Sequence, residues 1–600
     1  MRTRRPYLIP TAAITIAALI GVSRARAAAG EVPSRGRIVI LMVWDGLRPD
    51  LVNEQDTPNL YALQQRGVRF EHHHSIFPTV TMVNAAALAT GGDPGTSGIL
   101  GDSMYLAPVL DPGKVDSIPG LPPAGVQPID IENSHYLAAL DGPEAFNGHL
   151  LGLEAIGAQV RSAGGYVAVI GKRGPSFLFD GKDAASADKG AANYLFVADD
   201  MASPANAEAA LATAPPIKRM DLPSVGARDA WFAQLVTDRA LPDAKRAAAD
   251  GRSAFVVFWQ HNPDLVQHAA GLGTAPAIDA LHQCDGNLGR IESALSALGI
   301  AQQTDLIIVS DHGFATIRLD VSLSDLLVAA GIKKSAQSTD VVVAANGGYD
   351  LVYLSRQSFA SEQARRLALV RITDFAEAQE WCGPIFSQAP AAGTKRDYLG
   401  WIPGTFAEGA SGIHNSARAA DLIVSFRELP NSDNRGLTGP ENPAFALGAH
   451  GQQVTRNLSS KLIRPTEGLV YSDTRPGFFT TGMGMHGAAG VREIHNFCAA
   501  EGPGFRQRFT DTDPTSNVDV AETIRELMHV ARPAAASGRV MSEALVGGAA
   551  IAAPASPVTM TTYLPLQGGE VVTELRFTRF DDRDYLDDSN VTHAALGSAP

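Results

Sequence analysis

Positive charge and cysteine are both scarce in this chain. Lysine and arginine number 49 against 63 acidic residues, which gives a formal net charge of -14 at pH 7. A nucleic-acid scaffold needs a basic surface, so this balance argues against that class of protein. Only three cysteines occur, and none belongs to a Cys-x-x-Cys pair. This excludes a disulfide-rich scaffold and argues against a thiolate metal site, although three cysteines are enough for one disulfide.

Long apolar runs are also missing beyond the N-terminus. There, three arginines precede the apolar stretch 7–22, and the letters ARA at 25–27 offer a small-x-small cleavage site. The pattern predicts an export signal over 1–27, loosely similar to twin-arginine signals, and therefore a periplasmic or secreted protein. An uncleaved membrane anchor is disfavoured because the stretch is short and contains a proline. We expect no stable membrane span after cleavage.

The rest of the sequence has the composition of a globular protein, with 45% hydrophobic and 19% charged residues. Apolar periodicity predicts helices over 277–298 and 518–530. Strands alternate with helical patterns, which predicts a three-layer α/β/α sandwich with a largely parallel central sheet. In such sheets, functional side chains gather at the carboxyl ends of the strands. The strand candidates are 37–44, 166–170, 254–259, 305–309 and 421–426.

Three segments depart from this alternation. Residues 103–160 are rich in proline, glycine and aspartate, and residues 183–250 are rich in alanine with scattered charge. We expect insertions near 103–250 and 327–410 that form a cap. Residues 546–600 combine a small-residue linker with an alternating, strand-like tail, which predicts a small C-terminal β addition. The expected catalytic domain is therefore 37–545, including both insertions.

Side chains that bind metals follow several of the predicted strands. Taken singly, each has an ordinary explanation, such as a helix cap or a turn. Their co-occurrence in one α/β pattern instead predicts metal binding, because carboxylates and imidazoles together suit Zn²⁺ or a similar ion. Six such groups are too many for one ordinary site and sufficient for two. The candidates are Asp45, Asp264, His268, Asp311, His312 and His486.

A candidate nucleophile occurs in the stretch FPTVTMVNAAALATG, in which Thr79 and Thr81 precede or begin a predicted helix. A helix N-terminus favours a phosphate group nearby, and a metal-bound hydroxyl loses its proton more easily. The ordinary alternative is a threonine that only caps the helix.

Together these residues resemble the alkaline phosphatase superfamily, and most closely its type I phosphodiesterase/nucleotide pyrophosphatase branch. The stretches that carry the resemblance are VILMVWDGLRPD, FPTVTMVNAAALATGGDPGTSGILGD, NPDLVQH, VSDHGF and GMHGAAGVREIHNFCAAEGPGF. The resemblance implies two metal ions, most typically Zn²⁺, which clamp a phosphoric ester during an in-line displacement. Thr81 would attack phosphorus and form a phospho-threonine intermediate. Asp45, Thr81, Asp311 and His312 would hold one ion, and Asp264, His268 and His486 the other.

The predicted substrate-binding residues are Asp102, Lys172 and Asn84. Asp102 stands where the family has a phosphate-binding asparagine, and Met82 stands where it has an aromatic residue that holds a base. A carboxylate would repel a phosphoryl oxygen, which favours a diester over the more highly charged monoester. Lys172 and Arg173 loosely resemble the lysine clamp of monoesterases, which favours the opposite choice.

Two further histidine patterns compete for metal roles. His414 and His450 lie beside glycines, as His486 does, and are rivals for the last ligand position. The tract His72 to His74 looks like a metal-binding run, but adjacent residues of a strand point to opposite faces, which argues against a joint ligand set.

The sequence thus predicts an exported two-metal hydrolase of small phosphoric esters, a phosphodiesterase or nucleotide pyrophosphatase. The first alternative is a phosphomonoesterase that uses Lys172. The second is a non-catalytic, metal-binding protein of the cell envelope.

Overall fold

The computed structural model describes part of the chain, namely residues 36–106, 109–110, 127–184, 193–203, 207, 209, 211–216, 222–388, 401–413, 417–429, 468–474, 479–551, 554–566 and 569–595. The predicted export signal, His414 and His450 lie outside these residues. Within them, none of the helices combines the length and the apolar character that a membrane crossing requires. All three cysteines are buried and unpaired.

The described strands, numbered in chain order, form six sheets. They are β1 Ile38–Trp44, β2 Val68–Phe70, β3 His73–His74, β4 Ser103–Met104, β5 Ile129–Asp130, β6 Tyr166–Gly171, β7 Tyr194–Ala198, β8 Ala202–Ser203, β9 Ala254–Gln260, β10 Thr304–Val309, β11 Ala315–Asp320, β12 Val341–Ala345, β13 Tyr349–Leu354, β14 Cys382–Ser387, β15 Phe406–Ala407, β16 Leu422–Phe426, β17 Glu428–Leu429, β18 Leu469–Ser472, β19 Gly484–Met485, β20 Cys498–Glu501, β21 Phe509–Asp511, β22 Thr515–Ser516, β23 Ser556–Leu566, β24 Gly569–Phe580 and β25 Arg583–Ala595.

The described α-helices are α1 Pro58–Arg66, α2 Thr81–Thr90, α3 Pro94–Ser97, α4 Ser134–Asp141, α5 Ile156–Ser162, α6 Pro175–Ala184, α7 Leu222–Leu235, α8 Leu241–Ala249, α9 Asp264–Ala270, α10 Ala275–Leu298, α11 Leu323–Ala329, α12 Glu362–Glu377, α13 Val491–Ile494 and α14 Asn517–Met528. The helices predicted over 277–298 and 518–530 correspond to α10 and α14.

The central sheet has nine strands in the order β21-β2-β20-β10-β1-β9-β6-β7-β8. Its five middle strands, β10 to β7 in that order, are mutually parallel, whereas β20 and β8 run antiparallel to their inner neighbours. The largely parallel sheet is therefore as predicted.

Both faces of this sheet are buried, which gives the three predicted layers. Along β1, Val39, Leu41 and Val43 contribute to one hydrophobic cluster, which includes side chains of α2 and α14. The alternate residues of β1 contribute to a second cluster on the other face, which includes side chains of α10. A strand buried on both faces has no polar position until it ends, which explains the unbroken apolar run in the sequence.

Residues 103–250 do not behave as one insertion. Strands β6, β7 and β8 lie within this range and belong to the central sheet, while α7 and α8 contribute side chains to one of its two hydrophobic clusters. The alanine-rich helices α7 and α8 therefore pack against the sheet, while other residues of this range, among them Asp130, Glu132 and Arg228, line the cavity of the candidate active site.

Strands β12 to β16 form a separate five-stranded sheet, in the order β12-β13-β16-β14-β15. This sheet includes the strand predicted at 421–426, which therefore lies outside the central sheet. At the C-terminus, β23, β24 and β25 form a three-stranded antiparallel sheet, the predicted small β addition.

Candidate active site

Three adjacent parallel strands deliver the first acidic side chains to the same edge of the central sheet. Val43 of β1 pairs with Val309 of β10, and Asp45 and Asp311 each follow two residues later. On the other side of β1, strand β9 ends at Gln260, and α9 begins at Asp264. The carboxyl ends of these strands therefore bring three carboxylates from distant parts of the sequence together, as the sequence predicts.

Gly46 allows the first of these turns. Its φ of 69° is in the left-handed region, and an added Cβ would lie 2.8 Å from the Phe314 ring. In this conformation the Gly46 N–H donates to Asp311 Oδ1 at 3.0 Å, which fixes one carboxylate beside the other.

One candidate metal group consists of Asp264, His268 and His486. The Asp264 Oδ1 atom lies 3.2 Å from His268 Nε2 and 3.4 Å from His486 Nε2. The two Nε2 atoms are 3.1 Å apart. Ligand atoms about 2.0 to 2.1 Å from a tetrahedral zinc ion are separated by about 3.3 Å, so this triangle has the size that a zinc site requires.

The second candidate group consists of Asp45, Asp311, His312 and Thr81. His312 Nε2 lies 3.6 Å from Asp45 Oδ1 and 3.3 Å from Asp311 Oδ2. Thr81 Oγ1 lies 3.3 Å from the same nitrogen. The structure thus brings the seven residues that the resemblance implies together in two neighbouring groups, and metal binding by these groups stays a prediction.

The protonation of these groups fits metal binding. The Nδ1 atoms of His268, His312 and His486 bond to the backbone carbonyl oxygens of Gly484, Gly313 and Thr79, at 2.9 Å in each case. A carbonyl oxygen only accepts, so Nδ1 carries a proton, and in the neutral ring Nε2 presents a lone pair. This arrangement is typical of ligating histidines.

Each of the three carboxylates also has one oxygen that accepts no hydrogen bond. Asp45 Oδ1, Asp264 Oδ1 and Asp311 Oδ2 are buried and have no hydrogen-bond partner. Burial raises the pKa of Asp45 to about 6, with Lys172 opposing the rise, and burial together with Asp45 raises the pKa of Asp311. A buried cluster of unpaired lone pairs is costly without positive charge, and divalent cations would supply it.

Lys172 provides part of that positive charge. Its ammonium donates to Asp45 Oδ2 at 2.8 Å and lies 3.7 Å from an oxygen of Asp264 and of Glu132. Burial would lower the pKa of Lys172, but Asp45, Asp264 and Glu132 outweigh it and raise the pKa above its usual value. Lys172 is therefore charged and held between the two groups, rather than extended into open solvent.

Thr81, not Thr79, faces the cavity. Thr81 begins α2 and lies within 3.5 Å of Lys172 Nζ as well as beside His312. The hydroxyl of Thr79 instead donates to the Ala488 carbonyl at 2.8 Å and accepts from the Gly487 N–H at 3.0 Å. Thr79 thereby joins the loop before α2 to the glycine-rich loop that carries His486.

A cavity of about 570 Å³ is lined by Asp264, His268 and His486 of the first group and by Thr81 of the second. Asp102 lies on its wall and accepts from the Met82 N–H at 2.9 Å, at the N-terminus of α2. Burial, with Glu132 adding to it, raises the pKa of Asp102 to about 7. Arg173 also lines the cavity. Both positions agree with a role in substrate binding.

Asn84 does not fit its predicted role in substrate binding. It is fully buried, and its amide oxygen accepts from Ile76 N–H at 2.7 Å and from Asn517 Nδ2 at 2.9 Å. Its NH₂ group donates to the Ile76 carbonyl at 3.0 Å and the Val80 carbonyl at 3.2 Å. The side chain holds the loop before Thr81 from behind and has no free group for a ligand.

A second charged cluster on the cavity wall has no specific signal in the sequence. His261 Nδ1 lies 2.7 Å from Asp229 Oδ1, and His261 Nε2 lies 2.7 Å from Asp199 Oδ2. Asp199 also accepts from Arg228 at 2.9 Å. Burial would lower the pKa of His261, but the two carboxylates outweigh it and raise the pKa to about 10. The only sequence hint is that His261 directly follows β9.

The three side chains of the His72 to His74 tract have different surroundings, as expected for successive residues of an extended segment. His72 is exposed. His73 is buried and bonds to Thr515 Oγ1 at 2.8 Å and Asn517 Oδ1 at 3.1 Å. His74 faces the C-terminal sheet, where its Nε2 lies 3.0 Å from Asp587 Oδ1. None of the three belongs to the two groups described above.

Comparison with known families matches residues 39–424 to the type I phosphodiesterase/nucleotide pyrophosphatase family. A comparison with curated proteins finds no similar sequence. Solved structures similar to this chain include murine and human ectonucleotide pyrophosphatase/phosphodiesterase 5, each with 15% identity and a TM-score of 0.49. An inactive form of the murine protein in complex with AMP has 16% identity and the same TM-score. Each alignment covers 82% of this chain and 96% of the other.

Proposed function

The chain belongs to the type I phosphodiesterase/nucleotide pyrophosphatase family of the alkaline phosphatase superfamily, and from this premise we propose an exported phosphodiesterase with a threonine nucleophile. Members of this family are metal-dependent hydrolases of phosphoric esters that act on small nucleotide substrates. The family match therefore gives the reaction class. The nucleophile, the number and identity of the ions, the substrate and the location are our proposals.

The observation that carries the proposal is the position of Thr81. Its hydroxyl lies on the cavity, 3.3 Å from His312 Nε2 and 3.5 Å from Lys172 Nζ. It is also the first residue of α2, where the helix dipole favours a negatively charged group. A nucleophilic hydroxyl needs an environment that favours loss of its proton, and this one combines a cation, a helix N-terminus and a set of metal-type ligands.

We propose that two divalent cations, Zn²⁺ by the chemistry of the ligands, complete the site. Asp45, Thr81, Asp311 and His312 would hold one, and Asp264, His268 and His486 the other. When bound, the ions would favour the alkoxide form of the threonine and offset negative charge on the attacking and leaving oxygens.

The residues of the chain then account for the remaining steps. Thr81 Oγ1 attacks phosphorus in line with the departing alkoxide or phosphate, so that one P–O bond forms as the other breaks. Lys172 stabilises negative charge beside Oγ1. Water then hydrolyses the phospho-threonine and regenerates the hydroxyl.

The charge of the cavity favours a diester substrate over a monoester. Asp102, Asp130, Glu132, Asp199 and Asp200 all line it. A monoester dianion would meet more repulsion from these carboxylates than a diester monoanion, and the leaving group of a diester can also provide hydrogen-bond donors. A protonated Asp102 could itself donate to a phosphoryl oxygen, consistent with its raised pKa.

A phosphomonoesterase is the second candidate, because one cationic side chain lies close to the nucleophile and another lines the same cavity. Lys172 approaches Thr81, and Arg173 lines the same cavity. Lys172 is already engaged by Asp45, however, so only part of its charge is offered to a substrate. For this reason we place the diesterase first.

The proposal that the protein is exported depends only on its N-terminal segment. Residues 1–27 combine arginines, an apolar stretch and a small-x-small motif, which supports a cleaved signal and a periplasmic or secreted enzyme.

The test is a paired assay on purified protein of known metal content. It compares kcat/KM for bis-p-nitrophenyl phosphate and p-nitrophenyl phosphate in the unsubstituted enzyme, Thr81→Ala and Thr90→Val. Thr90 lies at the other end of α2 and bonds only within that region, to Ala86 O and Gly92 N, so Thr90→Val is a matched control.

We expect the diester to be preferred, and Thr81→Ala to lose about 10⁴-fold or more in turnover while Thr90→Val keeps it. A monoester preference would establish the second candidate. Full activity in Thr81→Ala would refute the nucleophile, and a protein without either activity but with bound metal would favour a non-catalytic envelope protein.

A further inference from the structure

A second set of metal-type ligands lies away from the cavity, where the C-terminal sheet meets the central domain. His74 of β3, His495 directly after α13 and Asp587 of β25 each offer a ligand atom, and these atoms all lie within 4.8 Å of one another. We propose that these three residues bind a structural divalent metal ion, Zn²⁺ or a similar transition-metal cation, which fastens the C-terminal sheet to the segment before the nucleophile.

The separation of His74 and Asp587 suits such an ion, and the ligand atom of His495 lies within 4.8 Å of both. His74 Nε2 lies 3.0 Å from Asp587 Oδ1, and the rings of His74 and His495 are 4.6 Å apart at their centroids. Two ligands of a tetrahedral zinc ion lie about 3.3 Å from each other. Two imidazole nitrogens with one carboxylate oxygen form a donor set that zinc accepts, with a fourth position left for water.

The surrounding hydrogen bonds orient the ligands. His74 Nδ1 lies 3.0 Å from the Thr515 carbonyl oxygen, so Nδ1 carries a proton and donates it there. Thr578 Oγ1 donates to Asp587 Oδ2 at 2.9 Å and leaves Oδ1 to face His74. Outer partners of this kind, a carbonyl for the histidine and a donor for the carboxylate, are typical of metal sites.

The backbone holds His495 beside His74. The two residues form an isolated antiparallel β-bridge, and their rings are tilted by 49°. A neutral imidazole at each position would be the form that binds a metal.

An ion can reach this position from the surface. His74 is only 2% exposed, but it lines a cavity of about 300 Å³ whose other walls include residues of β23, β24 and β25. Asp587 is 27% exposed. The carboxylate side of the site is therefore open to solvent, which gives an ion a path to it.

The competing arrangement is a direct ion pair. If His74 were protonated on both nitrogens, Nε2–H would donate to Asp587 without any metal, and His495 would be only a neighbouring ring. The two arrangements differ in metal content and in electron density, which provides the test.

The first measurement is the zinc content of the unsubstituted protein and of Asp587→Asn and His495→Gln, purified with Zn²⁺ present. The matched controls are Asp588→Asn, whose neighbouring carboxylate pairs with Arg576 instead, and His72→Gln, in the same tract but exposed. We expect each ligand variant to lose about one equivalent of zinc per chain relative to the controls. Equal zinc content in all five proteins would overturn the proposal.

The second measurement needs no substitution, and so does not depend on a variant that folds. Crystals of the unsubstituted protein grown with Zn²⁺ should give an anomalous difference peak at the zinc edge between His74, His495 and Asp587. A map with peaks at the two catalytic groups but none here would overturn the third site and leave the proposed function standing. A peak here with none at the catalytic groups would support the third site and overturn the proposed metal binding at the catalytic groups.

Discussion

Lys172 donates to one oxygen of Asp45 at 2.8 Å, while the other oxygen of the same carboxylate has no donor and faces His312. One oxygen of Asp45 therefore binds the Lys172 ammonium, and the other faces a candidate metal position. Trp259 Nε1 donates to the same oxygen as Lys172, also at 2.8 Å, which holds this division in place.

Replacement of Lys172 by methionine should lower turnover while it strengthens metal binding. The ammonium lies 3.5 Å from Thr81 Oγ1, so its loss removes positive charge beside the nucleophile, but it also removes a charge that repels an incoming cation. We expect kcat/KM to fall about tenfold to a hundredfold and the Kd for zinc to decrease. Metal titration and steady-state kinetics on the same preparation measure both. A weaker affinity for zinc would contradict the prediction.

His486→Ala should remove about one metal ion per chain from the catalytic centre, because two ligands and a water would then have to hold it. His282→Ala is the control, since His282 is a half-exposed histidine of α10 far from the cavity lining. Elemental analysis of both variants compares them with the unsubstituted enzyme. If His486→Ala retained its full metal content, another residue would have to be the last ligand, with His414 and His450 the first to examine.

Asp102 should make the activity depend on pH near neutrality. Burial and Glu132 raise its pKa to about 7, so the side chain is neutral below that pH and negatively charged above it. The charged form repels a phosphoryl oxygen, so diester turnover should fall above about pH 7 in the unsubstituted enzyme. Asp102→Asn should remove this decline. The ratio of its turnover at pH 9 to its turnover at pH 6 should be up to about tenfold higher than in the unsubstituted enzyme. Parallel pH profiles of the two proteins would refute the idea.

The buried His261 should stabilise the fold over a defined pH range. Asp199 and Asp229 raise its pKa to about 10 in the folded protein, against an ordinary 6.5 when unfolded. A raised folded pKa contributes stability that is complete below the unfolded pKa and is lost as the pH rises through the folded one. We expect His261→Gln to lose a few kcal/mol, on the order of 2 to 4, at pH 6.

That deficit should shrink between pH 6.5 and about pH 10 as the unsubstituted protein loses its advantage. Thermal unfolding of both proteins from pH 6 to pH 10.5 measures it. A deficit that is constant across this range would mean that the histidine acts through packing alone.

Much of the site could be predicted because a buried parallel strand is apolar along its length, so that the first polar residue after it marks its end. Strand β1 is buried on both faces, so its residues are apolar until Asp45, and β10 repeats the pattern before Asp311. Helix α10 was equally predictable, since one apolar stripe at helical spacing faces the sheet. These features depend on residues close together in the chain.

Other features depend on contacts between distant segments, and the sequence did not specify them. Asn84 lies one turn into α2 beside the nucleophile, yet its amide points to the loop behind and to Asn517. Only the direction in which the helix packs decides this. Within 103–250, the sequence likewise did not show that α7 and α8 pack against the central sheet, because an alanine-rich helix can pack there as closely as one with larger apolar side chains.

The sequence by itself determined the sheet's apolar strands, the acids and histidines that follow them, and the family to which this order belongs. Only the tertiary structure decided which oxygen of each carboxylate is free, which nitrogen of each histidine is protonated, and that Lys172 lies between the two groups. It also brought His74 to His495 and Asp587, across more than four hundred residues of chain. Local patterns follow from the spacing of residues along one element, whereas lone pairs and charges are assigned by partners that the fold brings in from elsewhere.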